Sequence, residues 1–144
     1  MHAAAVDALL ELAVVPSFSA IGPRLRRRLW AWPDPAPGAL QGRTALVTGA
    51  TGGLGRATAD ALARLGARVV LVGRDAARLE ALRTELGGDH DRDRFPVHLA
   101  DMADLASVRA VAAAIAASEA SLDLVVDNAG AIYPDRRAAP GGSE

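Results

Sequence analysis

Between Arg43 and Val126 short apolar runs alternate with single helical periods, and this alternation constrains the fold more than any other feature. Thr44–Thr48 is an apolar run with β-branched residues, and Arg68–Gly73 (RVVLVG) is a second. Phe95–Leu99 and Leu122–Val126 are a third and a fourth. After the first run, Leu54, Thr58, Ala61, Leu62 and Leu65 keep a helical spacing that closes at Gly66, a residue suited to a C-cap. Leu79, Leu82 and Leu86 mark a second helix ending at Gly87 and Gly88. Leu105, Val108, Val111, Ala112 and Ile115 mark a third, for which Asp104 is a good N-cap. Apolar strands joined through single amphipathic helices require right-handed crossovers and a parallel sheet covered on both faces. The expectation is therefore α/β: the first half of a doubly wound sheet, about four strands in the order 3-2-1-4.

Residues 1–40 have a different character. Val6, Leu9, Leu10, Ala13 and Val14 form the apolar stripe of a short helix that Pro16 ends. A second stripe runs through Ile21, Leu25, Leu29 and Trp32, with Arg24, Arg26, Arg27 and Arg28 beside it. Pro33, Pro35, Pro37 and Gly38 then make a linker that neither helix nor sheet can use. The chain thus divides into an N-terminal helical extension with a Pro-rich linker, residues 1–40, and the α/β half-domain, residues 41–144. An arginine-flanked stripe with a Trp suits contact of residues 20–32 with an anionic membrane surface. Packing on the domain with the Arg heads in water suits it better. Asp7 and Glu11 interrupt the first stripe, so neither a signal peptide nor a spanning segment is expected, and the cytoplasm is the expected location.

Composition removes several chemistries. The formal net charge of −1 offers no attraction to nucleic acid. Without Cys there is no disulfide, thiolate metal site or thiol nucleophile. All 16 basic residues are Arg, so no mechanism that uses a lysine amine runs on these residues alone. His2, His90 and His98 form no metal-ligand pattern.

The stretch Thr48-Gly49-Ala50-Thr51-Gly52-Gly53-Leu54-Gly55 joins the first strand to the first helix. A turn without Cβ atoms there lets backbone N–H groups approach a pyrophosphate, whose charge the helix N-terminus favours. Its spacing resembles the T-G-x-x-x-G-x-G fingerprint of the short-chain dehydrogenase/reductase family, through Gly49, Gly53 and Gly55. Gly52 also lets it fit T-G-x-x-G-x-x-G, the fingerprint of the extended, nucleotide-sugar-modifying branch. Asp127-Asn128-Ala129-Gly130 resembles the N-N-A-G motif of the single-domain branch, with Asp in place of the first Asn. The resemblance covers roughly Gly42 to Glu144 and implies a Rossmann-type fold. It also implies a cofactor site built from Thr48, Gly49, Thr51, Gly53, Leu54 and Gly55, with Asn128, Ala129 and Gly130 along the adenosine ribose. Asp101 matches the family's adenine-contacting Asp, with Met102 beside it.

Cofactor choice belongs to the end of the second strand. An acid there would accept from the ribose 2′-hydroxyl of NAD, but Gly73 and Arg74 occupy the place, and a guanidinium suits a 2′-phosphate. Asp75 comes one residue late and can cap the next helix. NADP(H) is the expected cofactor, ahead of NAD(H).

In the resembled family a Ser and a Tyr-x-x-x-Lys pair, from the fifth strand and the helix after it, carry the proton chemistry. These are absent from the sequence. Tyr133 with Arg137 imitates the spacing, but Pro134 breaks the helix between them and Arg does not titrate usefully. The expectation is a fragment or truncated gene product that is inactive alone. Residues 131–144 resemble the loop after N-A-G in retinol-dehydrogenase-like members and in bacterial members similar to dehydrogenase/reductase member twelve. The parent's implied activity is hydride transfer between NADP(H) and an alcohol or carbonyl, with a homo-oligomer allowed. Two alternatives stand beside it: a non-catalytic NADP(H)-binding sensor or partner module, and a nucleotide-sugar epimerase-type member.

Overall fold

The computed structural model describes residues 23, 27–28, 30–31, 33–88 and 91–130. Both N-terminal stripes fall almost wholly outside the described residues, as do His2, His90 and the Tyr133–Arg137 pair. The chain divides into two compact units, Met1–Pro35 and Ala36–Glu144. In the first unit Arg27 pairs with Asp34, and Ala31 has a left-handed φ of 48°.

The second unit alternates strands and helices as its periodicity requires. In chain order these are β1 (Thr44–Thr48), α1 (Gly53–Arg64), β2 (Arg68–Gly73), α2 (Ala76–Gly87), β3 (Val97–Leu99), α3 (Leu105–Ser118) and β4 (Leu124–Val126), with a 3-10 turn at Arg92–Arg94 before β3. The sheet order is β3-β2-β1-β4, and every pair is parallel. Residues 36–43 belong to this unit as a run of tight turns, tied to the end of α1 by the Leu40 N–H, which donates to the Leu65 carbonyl at 2.9 Å.

Burial explains why β2 is apolar throughout. Val69 and Leu71 face a core that also holds Ala45, Val47, Ala59, Leu62, Leu79, Leu82 and Phe95, so α1 and α2 cover that side. Val70 and Val72 face Leu46, Ala100, Val111 and Ile115, where α3 lies. A strand covered on both faces has no polar position to offer. β4 differs. Among the described residues it pairs only with β1, and Leu124 and Val125 remain 43% and 53% exposed.

Two strands are shorter than their apolar runs. Phe95 lies before β3, as the cap of the 3-10 turn, although its side chain is fully buried against Gly87. Leu122 and Asp123 precede β4. Asp123 uses its side chain as the next rung: its carboxylate accepts from the Thr44 N–H at 2.8 Å and from Arg43 at 2.7 Å.

At the amino ends of the strands one ion pair joins both sides of the sheet. Arg68, the first residue of β2, donates through Nε and Nη2 to both Glu119 oxygens at 2.7 and 2.8 Å, and its Nη1 donates to the Asp93 carbonyl. Glu119 follows α3 and its side chain is only 6% exposed. The bonded guanidinium holds the Glu119 carboxyl below the ordinary glutamate range. A folded pKa below the unfolded value contributes stability fully above the unfolded pKa, near 4.5 here, and loses it as the pH falls through the lowered value. Glu119→Gln should cost about 1 kcal/mol at neutral pH, reduced from the usual charged hydrogen bond because Arg68 is partly in water. Urea unfolding from pH 7 to pH 3 should show the gap between the two proteins closing below pH 4.5. A gap that stays constant with pH contradicts the pairing.

Candidate functional site

Parallel strands place all their carboxyl ends along one rim, where open α/β sheets bind ligands. In spatial order that rim carries Asp101 and Met102 after β3, Arg74 after β2, the glycine turn after β1, and Asn128, Ala129 and Gly130 after β4. Every residue expected at the site therefore lies on the same edge.

The glycine turn is held by two side chains. Thr48, 7% exposed, accepts from the Asn128 and Ala129 N–H groups through Oγ1, both at 3.0 Å. Asn128 returns its amide: Nδ2 donates to the Thr48 carbonyl at 3.0 Å and to the Gly49 carbonyl at 3.4 Å. Asn128 thus braces the turn from beneath. The Ala50 N–H donates to the Val72 carbonyl at 3.3 Å and ties the turn to β2. Asp127, which stands where the resembled motif has Asn, is exposed.

The glycines divide into two kinds. At Gly55 a Cβ would stand 2.3 Å from the Gly49 carbonyl oxygen and 2.5 Å from Asn128 Nδ2, so this position closes the turn on itself. Gly49 is left-handed at φ 64°, and a Cβ there would meet the Ala129 backbone at 3.0 Å. Gly52 and Gly53 face nothing within 4 Å. The open side of the turn has room for a ligand, and Leu54 stands there 79% exposed.

The starts of α1, α2 and α3 differ in their capping. Asp75 caps α2 by accepting from the Arg78 N–H at 3.1 Å, and Asp104 caps α3 by accepting from the Ala106 N–H at 2.9 Å. α1 has Gly52 at its N-cap, no side-chain cap and no acidic residue in its first turn. Its first helical bond comes from the Arg56 N–H, so the N–H groups of Gly53, Leu54 and Gly55 have no acceptor among the described residues. Unmatched donors at a helix N-terminus, facing open space, suit an anion such as a diphosphate. The residues present fit a dinucleotide.

Residues 43–140 match the short chain dehydrogenase family. The chain belongs to that family. Retinol dehydrogenase 14 of Mus musculus is 42% identical over 107 residues, which is 67% of this chain and 32% of that protein. Polyprenol dehydrogenase of Mus musculus is 37% identical over 145 residues, 97% of this chain and 42% of that protein. Among solved structures, the oxidoreductase yciK from E. coli superposes with a TM-score of 0.63 at 32% identity, over 68% of this chain and 41% of that one. The chain thus spans about a third of the length of retinol dehydrogenase 14 and two-fifths of polyprenol dehydrogenase. The family is one of oxidoreductases that bind NAD(P), on the Rossmann-type sheet found here.

At the other end of the rim, Asp101 makes a local turn. Its Oδ1 accepts from the Ala103 N–H at 3.0 Å, and its own N–H donates to Ser107 Oγ at 3.0 Å. Oδ2 has no partner among the described residues. Met102 packs its side chain against the core beneath α3. Arg74 is exposed and takes part in no ion pair among the described residues. Three supporting residues were not expected from sequence, one at this rim and two at the opposite, amino-end edge of the sheet. Ser107 supports Asp101, Arg43 clamps Asp123, and Asp123 fixes the start of β4; in sequence each is an ordinary polar residue with no spacing signal.

The division of the glycines gives a direct test. Gly55→Ala should destabilise the protein by about 1–3 kcal/mol, because backbone atoms must move. Gly52→Ala, extended at φ −158° with open space beside it, should stay within about 0.5 kcal/mol of the parent. Thermal melts of both variants check this; equal melting temperatures would contradict the turn geometry.

Proposed function

We propose that the chain is the NADP(H)-binding portion of an oxidoreductase that moves hydride between NADP(H) and an alcohol or carbonyl. The observation that carries the reading is the pair of contrasts at the rim: α1 starts without a cap while α2 and α3 are capped, and Arg74 stands exposed while Asp75 is engaged. Asp75 is the first acid in the chain after β2, and its Oδ1 is committed to the Arg78 N–H. It is poorly placed to accept from a ribose 2′-hydroxyl. A guanidinium at the preceding position grips a 2′-phosphate through two charge-assisted hydrogen bonds.

The roles follow along the rim. The N–H groups of Gly53, Leu54 and Gly55 hold the diphosphate, with Thr51 beside the turn. Thr48, Gly49 and Asn128 keep the turn in shape, and Ala129 and Gly130 lie along the adenosine ribose. Asp101 accepts from the adenine amino group through its unused oxygen, beside the Met102 backbone. Arg74 reads the 2′-phosphate. NADP(H), when bound, supplies or takes the hydride. The names retinol dehydrogenase and polyprenol dehydrogenase point to an alcohol or carbonyl on a long apolar skeleton as the substrate class of the parent. No helix among the described residues is long and apolar enough to cross a membrane.

Calorimetric titration tests the cofactor assignment. The protein should bind NADPH more tightly than NADH, and Arg74→Ala should remove about tenfold of that preference, the loss of one charge-assisted phosphate contact. Equal affinity for the two, or a preference unchanged in Arg74→Ala, would overturn it.

A further inference from the structure

Only Ala100–Asp104 separates β3 from α3, and this short turn is held by a dense set of hydrogen bonds. The Ala100 N–H donates to the Gly73 carbonyl at 2.9 Å, and the Asp104 N–H closes the turn on the Asp101 carbonyl at 3.1 Å. The Asp104 carboxylate is committed to the Ala106 N–H as the cap of α3. Asp101 is bonded through its carbonyl to Asp104, through Oδ1 to the Ala103 N–H at 3.0 Å, and through its own N–H to Ser107 Oγ at 3.0 Å. Ser107 is the third residue of α3 and is half-buried.

These bonds fix Asp101 in two separate ways. The contact from Oδ1 to the N–H two residues on sets the carboxylate against its own turn, and nothing more. The contact from the Asp101 N–H to Ser107 sets that residue against α3, the rigid element beside it. With both made, one acceptor, Oδ2, is left without a partner among the described residues, and its position is determined. A hydroxyl suits the second contact. It accepts from the N–H without adding a further negative charge beside Asp101 and Asp104, as a carboxylate at the same place would. Glycine spacing and strand ends do not call for a hydroxyl at this position of α3, so the cofactor turn itself does not explain it.

We infer that Ser107 is a positioning residue for base recognition: its hydroxyl accepts from the Asp101 N–H and so holds the unused Asp101 oxygen where the adenine amino group meets it. The inference rests on the reading of Asp101 given above and adds to it a residue of α3. Discrimination between adenine and a base without that amino group then depends on a side chain that does not touch the base.

The test titrates the protein and its variants calorimetrically with two cofactors that differ only in the base. One is NADPH; the other is reduced nicotinamide hypoxanthine dinucleotide phosphate, in which a carbonyl replaces the amino group. The unsubstituted protein should prefer NADPH about tenfold, the effect of one charge-assisted hydrogen bond. Ser107→Ala should lower that preference by about threefold, a fraction of one hydrogen bond lost through misplacement of the acceptor. Ser107→Thr keeps the hydroxyl and should restore it. A residue that only stabilises α3 would weaken both cofactors alike and leave their ratio unchanged, and that result overturns the inference. If Asp101→Ala loses the preference while Ser107→Ala keeps it, the reading of Asp101 stands and the role of Ser107 falls. An unsubstituted protein that binds the two cofactors equally, or binds neither, overturns the reading of Asp101 and the role of Ser107 with it.

Discussion

The exchange between Thr48 and Asn128 is the contact on which the site depends. β4 has only three ladder residues, yet it must deliver a side chain to the glycine turn 80 positions earlier in the chain. It does so because both its ends are fixed by side chains. Asp123 takes the Thr44 N–H and Arg43 at the base, while Thr48 Oγ1 takes two N–H groups at the top. Each such bond is worth about 1 kcal/mol net, comparable to the ladder bonds of so short a strand. With β4 fixed, the Asn128 amide reaches the carbonyls of Thr48 and Gly49 and turns them away from the ligand side. The carbonyl oxygen of Gly49 then fills the place that a side chain at position 55 would need.

The consequence is electrostatic. Carbonyls drawn inward leave the open side of the turn to N–H groups, and α1 begins there with three of them unmatched among the described residues. A side-chain cap would have removed one donor and added negative charge, as Asp75 and Asp104 do for the neighbouring helices. Of α1, α2 and α3, α1 alone starts without a side-chain cap, which suits the anion proposed there. The same reasoning separates the roles of two adjacent residues after β2, where Asp75 is bound into a helix start and Arg74 is left to the solvent.

Much of this was legible in the sequence, and the reasons for the misses are physical. β1 and β2 are central strands buried on both faces, so their apolar runs coincide with their ladders. For β3 and β4 apolarity outlasts the ladder. Phe95 is buried as a plug against Gly87 before the strand begins, and Asp123 carries the pairing on through its side chain. Glycine spacing, the helix caps and Arg74 are local signals and could be located from neighbours in the chain. The brace by Asn128 and the clamp by Asp123 join residues some 80 positions apart, and the Asp75–Arg78 contact depends on rotamers. Nothing in composition or periodicity encodes those.

Amide chemical shifts report on each N–H of the glycine turn separately. In a ¹⁵N-labelled sample titrated with NADPH, Gly53, Leu54 and Gly55 should show the largest downfield amide proton shifts in the protein, saturating together with Arg74. Binding that leaves those three amides in place while moving others would contradict the anion site at α1.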